Sequence, residues 1–444
     1  MFAAKWRRNL LLMVGLLFTV MACVPPTPPP SPTPWPTATV VTLASVEAAT
    51  TPHATATPTR TPAPTPTPLI TNILVWESLP EAQAQALAED VESFQKEFPY
   101  FTVTLHHYES PENFMTPLMA GETHFDVVLA SPVVLGSLWS AEQIAPMSDF
   151  FPPSFLDGFA SVTLLGASRE NEVWGLSDTA GFHLLLFYNR DLVDTPPPDT
   201  EELLELAEDL SQGGQVQGLG VNSYDPLWLV PWLSPYGGWL TNAAGRPTLD
   251  TAAMQQALTL YLGWQDRPEG IAPVATYDEV RTQFLAGNLA MVIDGDWAMG
   301  ELARAAKINW GVAPLPGVVE DGESQPAAPL VLARYWAVGR SATGDRALAA
   351  AAFLEFVTRP ERQLDRAVRF GLLPTRREAL DDPVIVNDSA LRLSSAQMLA
   401  GRTVPLGTNA DALLSAMREP LRQALDGELT PAEAAEMMQA NAER

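Results

Sequence analysis

The amino-acid sequence predicts an α/β fold for the part of the chain that follows residue 68. Short apolar runs alternate there with stretches whose apolar residues recur every three or four positions, as strands alternate with helices. The alternation appears between residues 73 and 130 and returns between residues 184 and 293. Strands separated by helices usually form a parallel sheet with helices on its faces. The chain of 444 residues has room for about two such domains.

The first half of the pattern contains three predicted strands and two predicted helices. The first helix follows Pro80 and ends before Pro99, and the second ends at Gly121, since proline and glycine are typical helix boundaries. The predicted strands cover residues 73–76, 102–108 and 126–130, and the helices cover residues 84–98 and 114–120.

The second half of the pattern repeats the alternation. Asp199 or Thr200 caps a helix that ends before Gly213, and an alanine-rich helix ends before Pro360. The predicted strands cover residues 184–188, 219–221 and 289–293, and the helices cover residues 200–210, 251–264, 277–286, 298–306, 346–358 and 430–443.

The N-terminus has the pattern of an export signal. Lys5, Arg7 and Arg8 precede an apolar run at residues 10–20. This run is shorter than the roughly 20 residues that a membrane span needs, and it fits a signal peptide. Ala22 then precedes Cys23, the one cysteine of the chain, in the arrangement of a bacterial lipobox. We expect Cys23 to be lipidated and to anchor the protein outside the cell membrane; the alternative is a plain secretory signal.

Residues 24–68 are dominated by proline, threonine, serine and alanine. They lack the apolar periodicity that packing requires, so we expect an extended linker rich in polyproline II. Where it has that conformation, each residue adds about 3.1 Å, and the linker would hold a folded domain tens of ångströms from the membrane.

The composition excludes several classes of function. A formal net charge of −26 argues against nucleic acid and anionic lipid surfaces as partners. A single cysteine excludes an internal disulfide and a cysteine-based metal cluster. His106 and His107 are adjacent on a predicted strand and point to opposite faces, and His124 has only Asp126 nearby. The sequence therefore predicts neither a metal site nor a cofactor.

The order of several short motifs resembles that of the maltose-binding group of extracellular solute-binding proteins. One example is YNRDL at residues 188–192, and another is GVAPLPG at residues 311–317. The matching segments cover residues 94–99, 121–128, 174–177, 188–192, 196–203, 284–291, 295–297, 310–317, 353–356 and 373–376. The ordered set extends over nearly all of residues 69–444. Two positions depart from the family pattern, at Asp178 and at residues 334–336, where the family has a small glycine-rich turn.

The resemblance implies a two-lobed fold with a ligand cleft between the lobes. It places lobe 1 at residues 69–178 plus 315–372 and lobe 2 at residues 179–314 plus 373–444, with hinge crossings near residues 176–181, 313–317 and 370–376. The lobes of such proteins close on a ligand by a hinge motion. The implied function is to capture a sugar and deliver it to the permease subunits of an ABC importer.

Aromatic side chains are the first group of candidate ligand-binding residues, because sugars have apolar C–H faces. Trp297 matches the tryptophan of the family motif at residues 295–297 and is expected to stack on the ligand, unless it packs at the start of the following helix. Trp228 and Trp232 lie one helical turn apart and so can face one way, and Trp228 or Trp232 is expected to form a plate for the sugar unless they simply belong to the core. Tyr335 and Trp336 are expected near the rim of the opposite lobe.

Polar side chains form the second group. Glu77 and Ser78 follow the first predicted strand and Ser131 follows the third, and ligands bind at the carboxyl ends of strands in open sheets. Asp225 either caps a helix or holds a hydroxyl group. Of Asp294 and Asp296, one is expected to cap the following helix and the other to face the cleft.

Two other functions compete with sugar binding. The protein would be a binder of another solute if its ligand were a polyamine or a glycerol phosphate, and the latter would need Arg334 or Arg376 in the cleft. It would be an anchored glycoside hydrolase if two of Glu77, Asp225 and Asp294 flanked a sugar. No catalytic motif of the common hydrolase classes is present, so we expect a binder and not an enzyme.

Overall fold

The computed structural model describes residues 70–121, 123–264, 267 and 276–444. These residues belong to one compact unit, Pro66–Arg444. The predicted signal peptide, Cys23 and the predicted linker lie outside the described residues. Among the described residues, no helix combines the length and the apolarity that crossing a bilayer requires.

The strands of the described residues include all six that were predicted, together with further strands that the periodicity did not predict. In chain order they are β1 (Thr71–Glu77), β2 (Phe101–His107), β3 (Val127–Ala130), β4 (Ser168–Arg169), β5 (Glu172–Val173), β6 (Leu176–Gly181), β7 (Leu184–Asn189), β8 (Gln217–Gly220), β9 (Leu289–Gly295), β10 (Trp310–Ala313), β11 (Val318–Glu320), β12 (Glu323–Gln325), β13 (Leu332–Val338) and β14 (Leu373–Pro374).

The helices mostly begin at polar caps or at proline. Asp199 accepts the backbone N–H groups of Glu201 and Glu202, and so begins one of them. In chain order they are α1 (Glu81–Glu97), α2 (Pro111–Met119), α3 (Pro132–Ser140), α4 (Pro153–Leu156), α5 (Ser161–Leu165), α6 (Thr200–Ser211), α7 (Ala252–Gly263), α8 (Tyr277–Ala286), α9 (Met299–Ala305), α10 (Asp345–Val357), α11 (Pro360–Phe370), α12 (Arg377–Leu380), α13 (Pro383–Val386), α14 (Ser389–Ala400), α15 (Ala410–Leu425) and α16 (Pro431–Ala442).

The described strands form two main sheets, and each has its own core. The larger sheet has the order β14-β6-β13-β3-β1-β2, and the smaller sheet has the order β10-β7-β9-β8. Strand β1 pairs in parallel with β2 and β3, whereas β13 runs antiparallel to both of its neighbours. Apolar side chains of α1 and α10 pack on the larger sheet, and those of α7, α15 and α16 pack beside the smaller one. The larger sheet with its helices is the first lobe, and the smaller sheet with its helices is the second lobe.

The chain passes between the two lobes three times. It leaves the larger sheet at the end of β6 and enters the smaller one at β7, so that residues 182 and 183 form the first crossing. It returns between β10 and β13, and it leaves again after β14 to reach α14, which packs on β10. Strand β6 pairs with β13 and β14 as far as Gly181, which carries the first lobe past the boundary predicted at residue 178.

Residues 334–336 do not form the rim segment that we expected. They lie inside β13, between β3 and β6, and both Tyr335 and Trp336 are buried. The register of β13 against β6 shifts between Ala333 and Tyr335, as at a bulge. This shift interrupts the alternation of faces at Arg334, whose side chain remains partly exposed.

Candidate functional site

An open groove lies between the two lobes and has a volume of about 1190 Å³. The first lobe contributes residues from the ends of β6 and α11 and the beginning of β13, whereas the second lobe contributes α9 and the beginning of α14. Side chains that line it include Gln83, Thr179, Phe182, Arg190, Asp296, Trp297, Arg304, Trp310, Arg334 and Asp388. The groove combines aromatic rings with groups that donate and accept hydrogen bonds.

Trp297 and Phe182 form the exposed aromatic surface of the groove. Trp297 is 37% exposed and Phe182 is 42% exposed, although both are large apolar side chains. Their ring centroids are 5.0 Å apart and the rings are inclined by 34°. Because the rings are in contact, a ligand cannot enter between them, and it can reach only the part of each ring that remains exposed.

A chain of hydrogen bonds fixes the orientation of Trp297. Its indole N–H donates to the Tyr277 hydroxyl at 2.8 Å, and that hydroxyl donates to Asp294 at 2.9 Å. Asp294 is buried and also accepts the backbone N–H of Gly295. Burial raises the pKa of Asp294 to about 6, and burial together with the charge of Asp294 raises the pKa of Tyr277 to about 12.

Trp228 and Trp232 are both buried, but they have different surroundings. Trp228 lies behind the groove, with its ring centroid 6.5 Å from that of Trp297 and its indole N–H bonded to the Ile293 carbonyl. Trp232 packs in the core against Trp264. The two residues lie in 3-10 turns and not in an α-helix, so the spacing of four residues does not place them on one face.

Asp296 lines the groove beside the first crossing. Its carboxylate accepts the backbone N–H of Phe182 at 3.0 Å, and its Oδ2 lies 3.5 Å from Nδ1 of His183. His183 is buried and pairs through Nε2 with the Ser394 hydroxyl at 2.9 Å. Burial lowers the pKa of His183 and raises that of Asp296. The expectation that Asp294 or Asp296 caps the following helix is wrong, because α9 begins without a side-chain cap.

Arg334 connects the groove to a buried ionic cluster in the first lobe. Its guanidinium donates to Oε1 of Gln83 at 2.6 Å and to Oγ1 of Thr179 at 3.2 Å, and it lies 3.4 Å from Asp178. Asp178 is buried, and it also accepts the indole N–H of Trp336 at 3.0 Å and lies 3.3 Å from Arg366. Asp178 and residues 334–336, which are the two departures from the family motifs, are therefore in contact with each other.

A second, smaller pocket of about 620 Å³ opens on the second lobe near Tyr277. We call it the side pocket. Asp225 lines it, and its carboxylate also accepts the backbone N–H of Leu227 and so caps the short turn that holds Trp228. Both alternatives for Asp225 therefore fit its position. Tyr277 lines the side pocket and bonds to Trp297, so it connects the pocket to the groove.

The other predicted polar residues do not line the groove. Glu77 is buried, accepts the backbone N–H of Leu79 and pairs with His107 at 2.9 Å. Ser78 is exposed, and Ser131 caps α3, where its hydroxyl accepts the N–H of Val134 at 3.4 Å. Each lies at the end of its strand as expected, but the groove is lined by side chains of neighbouring elements. Within the described residues there is no cluster of three potential metal ligands.

Phe182 and Tyr277 are not among the residues predicted from the sequence. Phe182 follows Gly181 directly after a strand, and an aromatic residue beside glycine at a predicted chain crossing is a signal that indicates it. Tyr277 is the first residue of α8 and lies within the Thr276–Glu279 capping box, and no local pattern distinguishes it from a core tyrosine. Its role depends on the approach of α8 to Trp297, which is a contact distant in sequence.

The family model for bacterial extracellular solute-binding proteins matches residues 90–392. The chain is 24% identical over 325 residues to the maltotriose-binding protein of Pyrococcus abyssi (strain GE5 / Orsay), covering 72% of this chain and 70% of that protein. It is 26% identical over 215 residues to the maltodextrin-binding protein MdxE of Bacillus subtilis (strain 168), which is 46% of this chain and half of that relative.

Solved structures show the same architecture. The maltose/maltodextrin-binding domain MalE of Bdellovibrio bacteriovorus bound to maltotriose matches with a TM-score of 0.64 and 26% identity, over 84% of this chain and 99% of that chain. A cyclo/maltodextrin-binding protein complexed with maltotetraose has a TM-score of 0.72 at 21% identity, over 84% of this chain and 96% of that chain. These comparisons confirm the two-lobed α/β fold and the resemblance of the motifs. The chain belongs to the family of bacterial extracellular solute-binding proteins.

Proposed function

We propose that this protein captures a sugar or an oligosaccharide in the groove between its lobes. The observation that carries the proposal is the exposed ring of Trp297, which lines the groove and is held in place by Tyr277. An exposed, oriented aromatic ring offers an apolar plate for the C–H face of a sugar. A ring that served only the core would be buried, as Trp228 and Trp232 are.

The polar groups of the groove suit hydroxyl groups better than a polyamine. Arg190, Arg304 and Arg334 line the groove and would repel a polycation. The two carboxylates that line the groove within the described part of the chain are engaged by backbone N–H groups, that of Asp388 by Ala390 and Leu391 and that of Asp296 by Phe182. Guanidinium groups donate several hydrogen bonds in a fixed geometry, which sugar hydroxyls can accept. The relatives named for maltotriose and maltodextrin binding support the same ligand class.

We also propose the cellular setting of this capture. Lipidated Cys23 anchors the protein outside the cell membrane, and residues 24–68 tether the two lobes there. The bound sugar is passed to the permease subunits of an ABC importer. A relative in Streptococcus pneumoniae, strain ATCC BAA-255 / R6, is named a maltooligosaccharide ABC transporter solute-binding lipoprotein, and it is 26% identical over 151 residues.

Catalysis is not part of the proposal. Of the three carboxylates that a hydrolase would have used, Glu77 and Asp294 are buried and engaged in hydrogen bonds. Asp225 lies in the side pocket and caps a turn. The relatives are named as binding proteins, and we expect the ligand to leave the groove unchanged.

Thermal unfolding of residues 66–444 with a panel of sugars tests the proposal. A ligand at 100 times its dissociation constant stabilises the folded state by about 2.7 kcal/mol, which shifts the unfolding temperature measurably. The panel contains maltose, maltotriose and maltotetraose, with spermidine and glycerol 3-phosphate as other classes. Chromatography of the sugars after incubation shows whether any is cleaved.

Two variants define the site in the same experiment. We expect Trp297→Ala to weaken sugar binding at least tenfold, because the stacking surface is lost. Tyr100→Ala is the matched control, since Tyr100 is an exposed aromatic residue that does not line the groove. Stabilisation by spermidine alone or by glycerol 3-phosphate alone, cleavage of a sugar, or equal binding by the Trp297 variant would contradict the proposal.

A further inference from the structure

The first crossing between the lobes contains a strained residue. Phe182 has a φ of 62°, in the left-handed region that bulky side chains rarely adopt. Such strain persists only where the surrounding structure imposes it, and it is concentrated at functional sites. Phe182 lies at the hinge and lines the groove, so the cause of its conformation bears on ligand binding.

The carboxylate of Asp296 imposes this conformation through the backbone. It accepts the N–H of Phe182 at 3.0 Å, and the N–H of Asp296 itself donates to the carbonyl of His183 at 3.0 Å. A Cβ atom on Gly181 would lie 2.4 Å from Oδ2 of Asp296, so only glycine fits beside the carboxylate. Asp296 thus contacts each of the three residues 181–183.

The strained backbone determines where the Phe182 ring lies. The ring packs against Trp297, the residue directly after Asp296, and both rings remain partly exposed in the groove. Asp296 therefore positions both rings. It directly precedes Trp297 in the chain, and its carboxylate holds Phe182 by the hydrogen bond to the backbone N–H of that residue. A phenylalanine that only filled space would not need a left-handed backbone.

We propose that Phe182 is a second ligand-stacking residue and that Asp296 is the positioning residue that holds it against Trp297. This inference rests on the proposed function, because it assigns a further contact in the same groove. The ligand is a saccharide whose apolar C–H groups contact the exposed part of each ring. The hinge crossing itself then contacts the ligand, so binding and the relative position of the lobes are coupled at Phe182.

The ligand-binding half of the proposal is tested by calorimetry with maltotriose and the full-length protein. We expect Phe182→Leu to bind about tenfold more weakly and Phe182→Tyr to bind like the wild type, since tyrosine keeps the ring. Asp296→Ala is expected to weaken binding similarly, and Asp296→Asn to restore most of it, because the amide oxygen still accepts the N–H of Phe182. Equal affinity of the Phe182→Leu variant and the wild type would overturn the stacking role.

A double-mutant cycle separates positioning from a general structural effect. If Asp296 acts through Phe182, Asp296→Ala has little further effect on affinity once Phe182→Leu is present. If the affinity of the double variant falls by the product of the two factors measured for the single variants, Asp296 does not act through Phe182, and the positioning role is wrong.

The backbone half is tested without any ligand. Glycine adopts a left-handed backbone freely and alanine does not, so Phe182→Gly should have a folding equilibrium constant about five- to thirtyfold larger than Phe182→Ala. When Asp296→Ala is added to both variants, the ratio of their folding equilibrium constants should approach one, because the backbone of Phe182 can then leave the left-handed region. An unchanged ratio would show that Asp296 does not hold the strain. A wild-type protein that binds no sugar would instead refute the proposed function and the stacking role together, and this comparison would still decide the role of Asp296.

Discussion

The carboxylate of Asp294 is buried, and it accepts the hydrogen bond of Tyr277, which in turn accepts that of Trp297. Asp294 accepts two hydrogen bonds, from Tyr277 and from Gly295, and it forms no salt bridge among the described residues, although the charge of Arg281 acts to lower its pKa. Burial is the main reason that its pKa rises to about 6. Above that pH the folded protein contains a buried negative charge, whereas the unfolded chain exposes the same charge to water. The buried charge of Asp294, which accepts the hydrogen bond of Tyr277 beneath Trp297, therefore lowers the stability of the protein at neutral pH.

Replacement of Asp294 by asparagine should remove this cost. The folded state binds the proton more tightly than the unfolded state, so the contribution of Asp294 to stability falls as pH rises from about 4 to 6. A rise in pKa from 3.8 to about 6 corresponds to roughly 3 kcal/mol. We expect Asp294→Asn to be more stable than the wild type by about 1 to 3 kcal/mol at pH 8, measured by urea unfolding.

The pH dependence of the difference distinguishes this cause from others. The advantage of the asparagine variant should be near zero below pH 4, grow between pH 4 and 6, and stay constant above pH 6. Asp225→Asn serves as a control, since Asp225 lines an open pocket and caps a turn. A constant difference at all pH values would contradict the assignment of the cost to the charge of Asp294.

The sequence predicted part of this site at the level of single residues. Trp297 was singled out by its motif, and the structure places it in the groove, although its contact with a ligand stays a prediction. Trp232, Tyr335 and Trp336 were candidates because they are aromatic, and the structure buries them. Composition shows that aromatic rings are present, but exposure depends on which elements cover them, which is decided far away in sequence.

Gly218 shows how one residue sets the distance between two elements. It lies in β8, where α6 passes over the sheet, and a Cβ at this position would lie 2.0 Å from the carbonyl oxygen of Ala207 and 2.4 Å from its Cα. The N–H of Gly218 also donates to the Ser211 hydroxyl at 2.8 Å. The absence of a side chain therefore lets α6 approach the edge of the smaller sheet.

A methyl group at this position should be poorly tolerated. Backbone atoms of α6 would have to move, so we expect Gly218→Ala to lower the free energy of unfolding by about 3 kcal/mol. Gly213→Ala is the matched control. Gly213 lies between α6 and β8, and a Cβ at this position meets nothing within 4 Å. It should change stability by less than about 0.5 kcal/mol in urea unfolding. Equal effects of the two variants would contradict the close-approach argument.

About half of the described elements could be predicted from periodicity, and two of the exceptions have identifiable causes. The helix predicted at residues 277–286 has those bounds in the structure, because both ends have local signals. The strand β13 was missed because its shift at Arg334 breaks the alternation and because a central strand depends on distant partners. Pro231 and Pro235 lie in the segment around Trp232, and they favour 3-10 turns over the predicted α-helix.

At the scale of the whole molecule, the sequence predicted two lobes only through the resemblance of its motifs. Periodicity yields strands and helices but does not assign them to sheets. The assignment depends on the three crossings, and the first of them lies at residues 182 and 183, just beyond the segment predicted at 176–181. A strand that ends at a hinge has the same local pattern as a strand that crosses it.

The proposed anchor is tested on the whole protein in cells. We expect the wild type to incorporate labelled palmitate and to enter the detergent phase on partition, and Cys23→Ala to do neither, because Cys23 is the one thiol of the chain. Uptake of labelled maltotriose should fall in the same variant, since a tether keeps the binding protein at a high local concentration near its permease. Wild-type protein without fatty acid would contradict the lipoprotein assignment.

The exposed ring of Trp297 also makes the intrinsic fluorescence of the protein sensitive to what occupies the groove. Of the tryptophans in the described residues, Trp297 has the largest exposed fraction. Indole emission shifts to shorter wavelength when water is removed from the ring, and a covered ring is protected from quenchers in solution. We therefore expect occupation of the groove to change the emission of Trp297 and of the half-buried Trp310, which also lines the groove, whereas buried tryptophans such as Trp232 and Trp336 contribute a constant background.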